Sequence, residues 1–205
     1  MMRRTKEDAE LTRQDILEAA ITEFSRNGYA ATRLQDIAKS AGVTRGAVYH
    51  HFGGGKAELF ANIIEQATLT GSQAINGAIQ EGGTFLEILQ RILIFTLELV
   101  NRDSQFRAAM RLLLFNSGDS PELSAMRALR LEQGLAQMEQ IAGFFQLGLS
   151  QGEVQPDLDP QVAARAFLAY QNGLIMLWLS APGSIDLEKH ADGLADVFVR
   201  GVAAG

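Results

Sequence analysis

Arg45, Gly46, Ala47, Tyr49 and His50 stand almost side by side in the chain, and their side chains suit contact with an anionic polymer rather than covalent chemistry. Arg45 brings a planar, permanently charged fork that matches phosphate or the acceptor edge of guanine. Tyr49 and His50 can donate hydrogen bonds to phosphate oxygens. Gly46 and Ala47 are small and allow close approach to base edges. These residues can act together only on the outward face of one short helix. The sequence provides that helix: Thr44 is an N-cap residue type, and Val48 and Phe52 recur at helical spacing to anchor the opposite face.

The element before it follows the same logic. Thr32 and Gln35 have the spacing of a capping box, and Leu34, Ile37, Ala38 and Ala41 make one apolar face. Gly42 can take the left-handed conformation that ends a helix, and Val43 tucks the turn inward. Helix, glycine turn and second helix together have the form of a helix-turn-helix, with the second helix placed to enter a DNA major groove. The candidate DNA contacts are Arg33, Thr44, Arg45, Gly46, Ala47, Tyr49, His50 and Lys56. An ordinary helical hairpin in a core is the alternative. It does not explain why small, basic and aromatic residues gather on the face that faces away from the apolar one.

Catalytic chemistry finds little support. The histidines are His50, His51 and His190, none in a His-x-x-x-His pair, and there is no cysteine to join a metal site. Gly53-Gly54-Gly55-Lys56 is reminiscent of a phosphate loop but lacks the leading glycine, the following Ser or Thr and the preceding strand. No enzyme activity, metal or cofactor is expected.

With 205 residues and 47% apolar content the chain can bury a sizeable core. The absence of cysteine fits a reducing cytoplasm, and the charged start is unlike a signal peptide. No uninterrupted apolar run has the length of a bilayer, so no membrane partner is expected. The net charge of −6 argues against DNA binding until it is divided. Up to Lys56 nine basic residues face seven acidic ones, about +2, which leaves about −8 for the rest. DNA contact is therefore confined to the head.

Around these two helices the pattern predicts an all-α protein: a three-helix head with a helix-turn-helix, and a larger helical body for ligand binding and dimerisation. The first helix starts near Thr12, lines one face with Ile16, Leu17, Ala20, Ile21 and Phe24, and ends at Asn27-Gly28. A fourth starts near Lys56, with Gly71, Gly77, Gly82 and Gly83 predicting fraying from about residue 71. Further helices are expected near 84–101, 104–117, 121–151, 160–181 and 187–203, with Ser120-Pro121 and Asp159-Pro160 as starts. The domains so defined are 1–56 and 57–205.

The residues Thr12 to Ala20, Phe24, Gly28-Tyr29 and the run from Thr32 to Lys56 resemble the TetR family of bacterial transcriptional regulators. Gly173 to Trp178 and Ala181 to Leu187 are similar to its AcrR-like branch, which represses multidrug efflux pumps. One departure stands out: the family's His-Phe-x-x-Lys segment here has three glycines, Gly53, Gly54 and Gly55, between Phe52 and Lys56. The resemblance implies a homodimer on a palindromic operator, released by a small hydrophobic effector. The body carries Met and Phe, adaptable fillers that line surfaces accepting several shapes or simply fill a core. Candidate ligand contacts are Phe95, Phe106, Met110, Leu114, Asn116, Phe144, Phe167, Gln171 and Asn172. The polar members would fix orientation, and Asn172 occupies the position where AcrR-like relatives place a polar pocket residue. Leu174, Leu177, Leu194 and Phe198, on the two C-terminal helices, are expected either at a four-helix dimer interface or in the core, and the two-fold symmetry of a palindrome favours the interface. The alternative functions are a TetR-like regulator of lipid or catabolic genes and a helical protein-interaction module without DNA binding.

Overall fold

The computed structural model describes residues 6–115, 123–181, 183 and 185–205. Among the described residues the regular structure is helical: α1 (Lys6–Ala31), α2 (Leu34–Ser40), α3 (Arg45–His51), α4 (Gly55–Gln80), α5 (Phe85–Arg102), α6 (Ser104–Phe115), α7 (Ser124–Ser150), α8 (Pro160–Ser180) and α9 (Leu187–Val202). A single β-bridge joins Val154 to Ala203. The expected helix start at Ser120-Pro121 lies outside the described residues.

The helices fall into two compact units. The first comprises the described residues up to Leu69 together with those of Ser104–Met126, so α6 joins the head helices. The second comprises Thr70–Asp103 and Arg127–Gly205. The division therefore lies inside α4, past residue 56.

The first unit is built on three aromatic rings. Phe24, Tyr29 and Phe60 are buried, with centroids 5.2 to 6.0 Å apart and two of the three pairs edge-on. Ile16, Leu17, Ile37, Val48, Phe52 and Leu59 are buried in the same unit. Arg13 lies over the Phe52 ring at 5.0 Å and donates to Asn62 Oδ1 at 2.6 Å, which ties α1 to α4. α1 begins at Lys6, earlier than Thr12, because Glu7 and Asp8 suit the positive end of the helix dipole. Thr12 is an interior residue whose hydroxyl donates to the Asp8 carbonyl. The helical run breaks at Gly28 (φ 75°, ψ 162°) and ends one short turn later.

The second unit packs α5 against α8 and α9. A row of rings runs through it: Phe85 near Phe145, Phe145 near Phe167, and Phe167 near Phe198. Both Glu153 carboxylate oxygens accept from the free N–H groups of Phe85 and Leu86, each at 3.1 Å, and so cap α5 from a distant loop. Asp159 caps α8 by accepting from Gln161 N at 2.8 Å, with Pro160 in the first turn. Tyr170 donates to the Leu194 carbonyl at 2.7 Å, and burial pushes its phenol above the ordinary 10.0, which keeps it a donor. α4 does not fray at Gly71 but continues to Gln80. Tertiary contacts outweigh its glycines: Ala78 is buried, and the Arg91 guanidinium donates to the carbonyls of Ala78 and Gly82, satisfying the helix end.

Candidate nucleic-acid interface

Two backbone devices place α3. α2 ends in a Schellman turn: Val43 N–H donates to Ala38 O (2.9 Å), Gly42 N–H to Lys39 O (3.2 Å), and Gly42 takes φ 66°. Two residues later the Thr44 hydroxyl accepts from Ala47 N at 3.1 Å and starts α3. Between cap and stop only seven residues are helical, so each face of α3 is unambiguous. Val48 and Phe52 are fully buried, while Thr44, Arg45, Gly46, Tyr49 and His50 are exposed and Ala47 is half-buried.

On that face Arg45 and Tyr49 form a unit. The Arg45 guanidinium donates to the Tyr49 hydroxyl at 3.4 Å and lies 5.5 Å from the ring centroid. A Cβ on Gly46 would meet only the Thr44 hydroxyl oxygen, at 3.8 Å, so the backbone there is bare. His50 and His51 rings stand edge-to-face at 5.4 Å.

Arg33, Gln35, Asp36, Ala38, Lys39, Val43 and Arg45 line an open cleft where α2 meets the start of α3. Three cations surround one carboxylate there, and Asp36 is occupied in accepting from Arg33 N at 3.2 Å. That bond also relocates the cap of α2. The expected capping pair was Thr32 with Gln35, but the N-cap is Arg33. Thr32 is buried, with its hydroxyl 2.7 Å from the Gly28 carbonyl and 3.1 Å from that of Glu23. Its hydroxyl adds a second donor to the Gly28 carbonyl, which also accepts from the Thr32 N–H at 3.3 Å, and so closes the chain over the break in α1. Lys39 was not among the expected contacts. Its tie to Arg33 and Arg45 arises from the folded turn, and nothing in its sequence spacing marks it.

Lys56 stands at the start of α4. Its ammonium donates to the Tyr29 carbonyl at 3.0 Å and sits 4.3 Å from the Tyr29 ring centroid. It joins the start of α4 to the end of α1 and is half-buried. The physical cause is again the broken end of α1, whose last carbonyls lack intrahelical partners.

The expected ligand contacts are distributed over both units. Phe106, Met110 and Leu114 belong to α6 in the first, with Phe106 buried and the other two half-buried. Phe95, Phe144, Phe167, Gln171 and Asn172 belong to the second. Phe167 is a core ring at 4% exposure, and Phe95 and Phe144 pack partly buried against the same core. Gln171 is half-buried, and Asn172 lies exposed on the outer side of α8. The helical repeat explains the last placement: five residues past Phe167 turn a side chain away from the buried face. Asn116 lies outside the described residues.

The expected dimer contacts also separate. Leu177 is 52% exposed, whereas Leu174 and Leu194 are half-buried. Phe198 is 9% exposed and packs within its own chain, 5.6 Å from Phe167 and 5.3 Å from Tyr170 between centroids. The outward apolar residues are Val162, Met176 and Leu177 on α8 and Val197 on α9, the last 65% exposed.

A capped, seven-residue helix with a basic, hydrogen-bonding outer face, set by a glycine turn against a second short helix, defines a helix-turn-helix regulator of transcription. Comparison with known proteins names the family. Residues 16–63 match a family model described as bacterial regulatory proteins, tetR family, and residues 84–203 match the C-terminal region of MAATS-type transcriptional repressors. The chain belongs to the TetR family. It is 33% identical over 192 residues to the transcriptional regulator AcrR of Shigella flexneri, covering 93% of this chain and 89% of that protein. The crystal structure of NalD, the secondary repressor of the MexAB-OprM multidrug efflux pump in Pseudomonas aeruginosa, superposes with TM-score 0.81 at 30% identity, over 97% and 98% of the two chains. A complex of triclosan with SmeT, the repressor of the Stenotrophomonas maltophilia efflux pump SmeDEF, matches with TM-score 0.76 at 26% identity, over 95% and 92%.

Proposed function

We propose that this protein is a homodimeric repressor that reads a palindromic operator through two copies of α3 and releases it when a small apolar ligand binds. The observation that carries the reading is the outer face of α3, where Arg45, Tyr49 and His50 point to solvent over a helix pinned by Val48 and Phe52. The similarity to AcrR, NalD and SmeT supports an efflux operon as the target. Triclosan in the SmeT complex supports an apolar effector.

Arg33, Lys39 and Arg45 are assigned to phosphate and base contacts, with Thr44, Gly46, Ala47, Tyr49 and His50. Lys56 is assigned a tethering role. The dimer contact is assigned to Val162, Met176, Leu177 and Val197, whose exposure on two long helices would leave an apolar stripe in water. α8 is also long and apolar enough, by length and composition, to cross a membrane. An effector acts only through its different affinity for the operator-binding and released states.

The test is a titration of the wild-type protein against palindromic duplexes taken from upstream of its own gene and of neighbouring efflux genes, with and without triclosan. The reading expects salt-dependent, sequence-preferring binding that weakens with the ligand. Salt dependence without sequence preference would leave only a basic surface. No binding at all would favour a helical interaction module.

A further inference from the structure

The chain leaves α3 at Phe52 and re-enters a helix at Gly55 through Gly53 and Gly54. The turn is closed by Gly55 N–H on Phe52 O at 2.9 Å and by Gly54 N–H on a Glu58 carboxylate oxygen at 2.7 Å. Its three glycines are not equivalent. Gly53 faces open space, and a Cβ on Gly54 would meet only the flexible Glu58 side chain. Gly55 is buried, has φ 61°, and a Cβ there would lie 3.3 Å from Tyr49 Cε1 and 3.8 Å from its Cζ. Of the neighbours it would touch, Leu34 at 3.8 Å is at ordinary contact distance, so the Tyr49 ring is the one that must yield. That ring is 44% exposed, so nothing on its outer side resists the movement.

Tyr49 in turn supports Arg45, through the hydroxyl hydrogen bond and the ring face. A guanidinium already laid in place gives up less rotamer freedom when it meets a base edge. We propose that Gly55 is a positioning residue for DNA reading: its bare Cα lets the Tyr49 ring stand where it pre-arranges the Arg45 guanidinium, and so sets sequence preference rather than general affinity for DNA. The proposal rests on the assignment of α3 as the reading helix. The atoms nearest a Cβ on Gly55 belong to Tyr49 and Leu34, so Arg33 and Lys39, cations of the neighbouring cleft, continue to supply the unspecific, charge-driven part of binding.

The experiment compares two duplexes: the tightest binder selected by the wild-type protein from a randomised pool, and a scrambled duplex of the same composition. Gly55→Ala is expected to weaken binding to the selected duplex about tenfold, the size of a partly lost base contact, and to leave the scrambled duplex within about twofold. Gly55→Asn, a residue that tolerates positive φ, should behave alike if the alanine variant folds poorly. Gly28→Ala shares the positive φ of 75° but has nothing within 4 Å of its Cβ, so it reports strain alone. It should lower the melting temperature without changing the ratio between duplexes. In a Tyr49→Ala background Gly55→Ala should add nothing further. A loss shared equally by both duplexes, or losses from Tyr49→Ala and Gly55→Ala that simply add, would overturn the positioning role. If Tyr49→Ala weakens binding and both Gly55 variants do not, the positioning role fails while the reading helix stands. If Tyr49→Ala and Arg45→Ala change nothing, the reading helix itself fails, and this proposal with it.

Discussion

The short helices of the first unit and the long helices of the second bury similar residues by different means. α3 spans seven residues between a threonine cap and a buried phenylalanine, so one turn of backbone chemistry decides which side chains face out. α8 spans 21 residues, with apolar side chains on most of its circumference. There the outward face is decided by which neighbours arrive. Side-chain roles are therefore readable on a short, capped helix and ambiguous on a long, apolar one. Substitutions that treat the two kinds of position differently can break or sharpen this contrast.

The largest effect is expected from Phe198→Glu set against Leu177→Glu. Phe198 lies between the rings of Phe167 and Tyr170, so a carboxylate there is buried without a partner. The cost is roughly 3–5 kcal/mol, and chemical denaturation should show a protein largely unfolded. Leu177 is on the outer side of α8, so its charge meets water in the monomer. Sedimentation of Leu177→Glu should show folded monomers. A folded, dimeric Phe198→Glu would mean the second unit is packed otherwise.

Next in size is Gly148→Ala. A methyl group there would stand 2.6 Å from the Phe85 ring, which is buried and held between Phe144 and Phe145. Overpacking of this kind costs ~1–3 kcal/mol, read as a lowered denaturation midpoint with the outer face of α3 untouched.

Arg45→Ala should lose ~1–3 kcal/mol of operator affinity if the guanidinium reaches a base edge, with unchanged circular dichroism. Thermal stability that falls along with affinity would show Arg45 to be part of the fold.

The smallest contrast concerns two lysines of the first unit. Lys39→Ala should reduce the salt slope of DNA binding by about one phosphate contact. Lys56→Ala should leave that slope unchanged and cost about 1 kcal/mol of stability, because it removes a charged hydrogen bond and a cation–π contact. Exchanged results would return Lys56 to the DNA surface.

Much of the fold was legible in residue order because local rules and tertiary packing agree. Gly42 with φ 66°, the Thr44 cap and the Asp159-Pro160 start are each encoded within a few residues. The inward anchors Val48 and Phe52 follow from helical spacing alone. Misplacements occurred where a long-range partner competes with a local one. Thr32 has the residue type and spacing of a cap, yet the broken end of α1 claims its hydroxyl and leaves Arg33 at the cap. Lys56 has the residue type of a phosphate contact, and only the fold brings its ammonium to the Tyr29 carbonyl and ring. The glycines of α4 argue for fraying until Arg91 caps the helix end.

By itself the sequence determined the helical class, the glycine turn and the outward face of α3, since each depends on propensity, capping and period within a single short segment. Tertiary structure decided which cations share the cleft, which lysine is spent on the fold, and on which side of α8 Asn172 and Leu177 stand. It also decided that Phe198, on the apolar stripe of α9, packs against Phe167 and Tyr170 of its own chain, because a stripe at helical spacing shows which side is apolar and not which partner covers it.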